Sequence, residues 1–262
     1  MRILWPRRSR IAVVELFGIV GGAIRTTDYV GLFEALRKDT RVKSVVLDID
    51  SPGGSATATN YLHLALSKLA AEKPVVAFIR GLGTSGAYLL SCAATRIIAI
   101  PNALVGSIGV ISLRPVAQEL LRRAGIKINV AKGGRFKDMG AFWRDWTDEE
   151  VQKEQELIDQ FYQDFVQVVA QARGLDQETM EEYATGEVFL ARKAQTLGLI
   201  DEIGDLERAL DLAAELGKVP RRVVYARPPR PWRQRLISRF VASLVEELGA
   251  ELERRLMGYV RY

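Results

Sequence analysis

Asp48-Ile49-Asp50-Ser51-Pro52-Gly53-Gly54 closes one apolar run, and Gly83-Thr84-Ser85-Gly86-Ala87-Tyr88 closes the next. Consecutive glycines at a strand end present bare backbone N–H groups, and a serine at the following strand-to-helix turn stands over them. Together they read as an oxyanion site beside a nucleophile. Two successive strand–helix units end at the same carboxyl edge of a parallel sheet, which is where α/β proteins place their ligands. Gly83-Thr84-Ser85-Gly86-Ala87 carries Ala87 where the Gly-x-Ser-x-Gly elbow has its second glycine, so an α/β-hydrolase is not indicated.

Working outward, residues 11–17, 42–49 and 74–79 are β-branched or apolar and read as strands, with helices expected over 26–38, 56–71 and 85–94. Residues 96–100 and 108–112 read as short strands, 115–124 as a helix and 126–131 as extended chain. Strands alternating with helices at this spacing imply βαβ crossovers and a mainly parallel sheet covered on both faces. Residues 132–146 mix glycine, charge and aromatics without a period and read as a loop. Thr147-Asp148-Glu149-Glu150 then forms a capping box for a long helix on which Val151, Leu157, Ile158, Phe161, Phe165, Val168 and Val169 recur at helical spacing. Asp176 opens a further short helix. Residues 191–197, 199–203 and 206–216 read as helix, short strand and closing helix.

At 262 residues with 48% hydrophobic and 26% charged side chains, the chain has room for one α/β domain with an appendage and needs no disulfide or metal to hold it. We expect a domain over 1–220 and a basic tail over 221–262. The net charge of +5 belongs to that tail: ten Arg and four Glu give it +6, and the preceding residues carry −1. Residues 227–232, rich in Pro and Arg, read as a linker. Beyond it Leu236, Phe240, Leu244, Leu248, Leu252 and Leu256 form one apolar stripe of an amphipathic helix suited to anionic lipid or to a partner subunit. Its arginines are not interleaved with stacking aromatics, so nucleic acid is not an expected partner. No apolar run reaches the roughly 18 residues of a spanning helix, and the N-terminus lacks the pattern of a secretion signal. The chain as given is therefore expected to be cytoplasmic or peripheral to a membrane. The single Cys92, in an apolar stretch, reads as a small buried side chain.

The chain contains one histidine, so a catalytic serine would need His63 or a base that is not histidine. His63 falls inside a helix, where a packed or solvated role is the ordinary one. Asp48 and Asp50 end a buried strand and are expected to orient nearby backbone. No His/Cys/Asp cluster has metal-site spacing, and no metal or cofactor is expected. A lysine can serve as base only when kept neutral by removal from water, against an ordinary pKa of about 10.4. Lys137 stands among Phe136, Met139, Phe142, Trp143 and Trp146, which could enclose it, and Lys132 is its nearest rival.

Five segments occur in one order: Asp48 to Gly54, Gly83 to Tyr88, Gly106-Ser107-Ile108-Gly109-Val110, Lys132-Gly133-Gly134-Arg135-Phe136-Lys137-Asp138-Met139-Gly140, and Gly186-Glu187-Val188-Phe189 through to Gly198-Leu199-Ile200-Asp201-Glu202-Ile203-Gly204. In this the chain resembles the SppA or protease IV type of signal peptide peptidases, related in fold to ClpP and the crotonases. The resemblance covers roughly residues 11–216. It implies an α/β, ClpP/crotonase-like fold, to which the residue patterns above add βα repeats, a long helix and a C-terminal helical tail. It also implies Ser85 as nucleophile, Lys137 as general base 52 residues later, and an oxyanion held by N–H groups of Gly53 or Gly54 and of Gly86. The substrates would be signal-type or membrane-derived peptides. Members of the family form homo-oligomers in which serine and lysine can come from neighbouring subunits. The alternative is a crotonase-like acyl-CoA enzyme using the same oxyanion site without a nucleophile.

Overall fold

The computed structural model describes residues 10–228, so the amphipathic segment expected beyond the linker lies outside the described residues. The chain runs β1 (Arg10–Phe17), α1 (Thr26–Lys38), β2 (Val42–Ser51), α2 (Ala56–Ala70), β3 (Val75–Thr84), α3 (Gly86–Ser91), β4 (Arg96–Ala99) and β5 (Leu104–Gly106). It continues through α4 (Gln118–Arg123), α5 (Asp148–Arg173), α6 (Gln177–Tyr183), β6 (Val188–Leu190), α7 (Ala191–Thr196), β7 (Glu202–Ile203), α8 (Leu206–Gly217) and β8 (Val223–Tyr225). The strands form one sheet ordered β6-β5-β3-β2-β1-β8, with β4 joining β3 to β7. Every pairing is parallel except that of β5 with β6.

The continuous apolar runs of β1 and β2 are explained by burial on both faces. On one face Val14, Leu16, Leu47 and Ile79 pack with Phe33, Leu62, Leu66 and Tyr88 from the helices. On the other, Ile11, Val13, Val46, Val76, Phe78 and Ile98 meet Ala209, Leu210 and Ala213 of α8. Tyr88, fully buried, donates its hydroxyl to the Leu199 carbonyl at 2.7 Å and so ties α3 to the turn before β7.

β3 changes partner along its length. Residues 76–79 pair with β4, and residues 82–84 pair with β5. The register between β2 and β3 shifts at the same place, where the Asp50 carboxylate accepts the Leu82 N–H at 2.9 Å. Glycine is needed at 81 because a Cβ there would lie 2.7 Å from Asp50 Oδ1. Asp50 thus orients backbone, as expected, while buried Asp48 pairs with Arg80 through hydrogen bonds of 2.9 and 2.5 Å.

Three expectations are corrected. The strand expected at 108–112 is instead β5 at Leu104–Gly106, because Gly106 and Ser107 turn at φ 98° and 51° and break the extended chain. The helix expected over 115–124 is confined to Gln118–Arg123. The apolar stripe of α5 divides: Phe165 and Val169 are buried, whereas Val151 and Leu157 lie on the surface. β6 and β8, each of three residues, were too short for alternation to reveal. β8 lies beyond residue 220 and pairs with β1.

Candidate active site

Ser85 sits between β3 and α3 with φ 53° and ψ −127°. A non-glycine residue held there costs on the order of 1–3 kcal/mol, and such strain persists only where the surroundings impose it. They do so here: the Ser85 N–H donates to the Gly106 carbonyl at 2.8 Å, and all six residues of α3 are buried. The strain is a local consequence of forcing a strand into a buried helix without an intervening loop.

The glycine loop after β2 is packed against this turn. A Cβ on Gly53 would lie 2.6 Å from the Gly86 nitrogen and 2.9 Å from Ser85 Cβ, while one on Gly86 would collide with Thr59 Oγ1. The sequence does not choose between Gly53 and Gly54 as an oxyanion donor, and the two differ in their hydrogen bonding. The Gly53 N–H donates to Ser51 Oγ at 3.1 Å, and its carbonyl accepts from Val20 at 2.8 Å. Gly54 is paired with Val20 in a parallel bridge, in which its neighbours make both bonds: Val20 N–H to Gly53 O, and Ser55 N–H to Val20 O. Its own N–H is therefore turned to the opposite side. The Gly86 N–H, at the first position of α3, has no intrahelical acceptor.

Gly54, Ser85 and Gly86 share a cleft of about 440 Å³ with Thr59, Asn60, Leu89, Val110, Phe161 and Phe165. The cleft thus has donors at one end and an apolar wall supplied by α3 and α5. Ser107, the second non-glycine residue at positive φ near the site, also lines it. In the sequence Ser107 stands out only as part of a motif, and the glycines on either side, at 106 and 109, are the available signal. The helical period marks Phe161 and Phe165 as apolar positions of α5 but does not say which face meets a cleft.

Lys137 lies elsewhere on the chain. It is exposed, it does not line the cleft, and its N–H donates to the Gly134 carbonyl at 3.3 Å within a tight turn. Within one chain the enclosure expected from the surrounding aromatics is not closed. Phe142 is itself 48% exposed and meets Trp143 edge-on, and Phe136 carries the Arg135 guanidinium 4.5 Å from its ring centre. Lys132 is committed to an ion pair with Asp138. His63 is half-buried on α2 and does not line the cleft, and burial pushes its pKa below the ordinary value. Burial pushes the Cys92 thiol up to about 12, as befits an inert core side chain. Among the described residues no group of His, Cys, Asp and Glu is placed to hold a metal ion, and no helix is long and apolar enough to cross a membrane.

Residues 67–220, more than half of the chain, match the model of "Peptidase family S49". The chain belongs to peptidase family S49. The matched part includes Ser85 and Lys137 and begins after the Gly53-Gly54 loop. The mostly parallel sheet with its βα repeats agrees with the ClpP/crotonase-like fold expected of that family. A Methanocaldococcus jannaschii protein named "Putative protease MJ0651" is 38% identical over 191 residues, covering 73% of this chain and 61% of its own length. The Arabidopsis thaliana "Serine protease SPPA, chloroplastic" is 30% identical over 224 residues, which make up 81% of this chain and 33% of that protein. "Protease 4" of Salmonella typhi is 34% identical over 184 residues, 70% of this chain and 30% of its own. The chain thus spans 30–61% of the length of these three relatives.

Proposed function

We propose that this chain is a serine endopeptidase of the SppA type that cleaves signal-type or membrane-derived peptides with a Ser-Lys dyad. The observation that carries the reading is Ser85, strained at positive φ in a cleft with two unengaged backbone donors, Gly54 and Gly86, beside it. Ser85 Oγ attacks the scissile carbonyl carbon as neutral Lys137 Nζ takes its proton, and the N–H groups of Gly54 and Gly86 receive the oxyanion. The proton passes from Nζ to the departing amine, leaving an acyl-enzyme. Water, deprotonated by Lys137 in turn, releases the acyl group and restores Ser85. The cleft wall of Leu89, Val110, Phe161 and Phe165 suits a small or apolar side chain next to the cut. Membership of a peptidase family favours this reading over an acyl-CoA enzyme.

The reading includes assembly. Lys137 stands outside the cleft of its own chain, and the segment leading to it exposes Ile111, Leu113 and Leu120 at 69–79%. Clustered apolar surface of this kind marks contact with another protein surface. A second copy is the partner that would bring its own Lys137 to Ser85, close the aromatic enclosure and bury this face. Ser85→Ala and Lys137→Ala should each abolish hydrolysis of a fluorogenic peptide, and mixing the two inactive variants with subunit exchange should restore part of it. Full activity in Lys137→Ala would remove lysine from the mechanism, and no recovery on mixing would place both groups in one chain.

A further inference from the structure

Resting on the reading of Lys137 as base, we propose that Lys132 and Arg144 are positioning residues: they hold the Asp138 carboxylate so that Lys137 is left without an acidic partner. A carboxylate one residue along the chain is the nearest group that could trap a base lysine as its ammonium, since an opposite charge at close range favours the charged form. The fold prevents it. Arg144 Nε donates to Asp138 Oδ2 at 3.0 Å, Arg144 Nη2 lies 3.0 Å from Oδ1, and Lys132 Nζ is ion-paired with the same Oδ1. Arg144 Nη2 also donates to the Asp138 carbonyl at 3.3 Å, so the residue is gripped at both main chain and side chain.

The grip is anchored on α5. The other side of the Arg144 fork donates to Glu150 at 2.7 and 2.5 Å, and the Glu150 carboxylate closes the capping box by accepting the Thr147 N–H at 3.0 Å. Two cations and two carboxylates cancel, with the Asp138 and Glu150 side chains only 10% and 4% exposed. The Arg144 guanidinium, and after it Lys132, hold the Asp138 carboxyl well below the usual carboxylate range. Other charges near the turn are also engaged. In the loop, Arg135 pairs with Glu149 of α5 at 2.8 Å, and the Asp145 carboxylate accepts a hydrogen bond from the neutral Gln118 amide of α4 at 2.8 Å. From the segment before α4, Arg114 pairs with Glu154 of α5 at 3.3 Å. Lys137 makes no ion pair among the described residues. A carboxylate held by two cations one residue from a lysine that makes no ion pair is more than loop anchoring requires, because an apolar contact would have fixed the loop equally well.

The test uses the full chain and a fluorogenic peptide followed from neutral to alkaline pH. Arg144→Gln frees Asp138 to pair with Lys137, so kcat near neutrality should fall about tenfold or more, with KM little changed and the alkaline rise in activity displaced upward by about one pH unit. Asp138→Asn added to Arg144→Gln should recover most of the lost kcat, which loss of a structural bond would not allow. Should Arg144→Gln fail to fold, Lys132→Gln leaves the Arg144–Glu150 fork intact and should give the same displacement in weaker form. An unchanged pH profile, or no rescue by Asp138→Asn, overturns the positioning role. Lys137→Ala separates the two readings: if it is inactive while the Arg144 and Lys132 variants behave as wild type, the dyad stands and the positioning role falls, whereas full activity in Lys137→Ala removes both.

Discussion

Arg173→Met tests how the long helix is fastened to the sheet. Arg173, at the C-terminal end of α5, donates through Nη1 and Nη2 to the Asp201 carboxylate at 3.1 Å each, and through Nε to the Gly198 carbonyl at 2.7 Å. Asp201 also accepts from the Ile97 N–H at 2.7 Å and from Arg96 at 3.2 Å. The side chains of Arg173 and Asp201 are 11% and 17% exposed, so the pair is largely withdrawn from water. Breaking a buried pair by removing one partner costs about 3–5 kcal/mol. Asp201 would keep Ile97 and Arg96, which puts the loss near about 3 kcal/mol and the fall in Tm near 6–12 °C for a domain of this size. Asp201→Asn alone should cost less, since its amide oxygen still serves Ile97. The double variant should lose clearly less than the two single losses together, by about 1 kcal/mol or more. Burial opposes ionisation of Asp201, but Arg173 and the Ile97 N–H outweigh it, so its pKa is lowered in the folded state. The stabilisation is therefore present above the unfolded carboxyl pKa of about 3.9 and is lost as pH falls through the folded value. Urea denaturation followed by circular dichroism at neutral and acid pH reads all of this. Strict additivity of the two losses, or a loss under about 0.5 kcal/mol in Arg173→Met, would refute the pair as the fastening.

Gly53→Ala should abolish peptide hydrolysis and lower stability by a few kcal/mol, because its methyl meets the Gly86 nitrogen at 2.6 Å in a residue held at φ 90°; denaturation and peptide assays check both. Leu113→Asp with Leu120→Asp should shift the protein to smaller species in gel filtration and lose activity while the monomer's circular dichroism is retained, both side chains being exposed in a single chain. His63→Gln should leave kcat and KM unchanged, since His63 stands apart from the cleft.

The sheet was legible where the chain is buried on both sides. β1, β2 and β3 announce themselves as unbroken apolar runs, and the Thr147–Glu150 capping box starts α5 where the sequence placed it. Ser85 and the two glycines of its loop were legible because a strand meeting glycine before a helix leaves few conformations open. The difference in hydrogen bonding between Gly53 and Gly54 was not, because it turns on residues 19–24 folding back to engage Gly53 through Val20. Asp138 and Arg144 were hidden for a similar reason: an aperiodic loop gives no period from which to infer which charges meet.

The exchange of partners along β3 has a mechanical consequence. Because residues 82–84 are carried by β5 and not β4, and the Ser85 amide donates to the Gly106 carbonyl, the Ser85 turn is joined to the β5–β6 edge of the sheet. A displacement of β5 would reach that turn directly through main-chain hydrogen bonds, whereas residues 76–79 of β3 are paired with β4 instead. On the proposed role of Ser85, a contact made by β5 alone would shift the height of its hydroxyl without touching it.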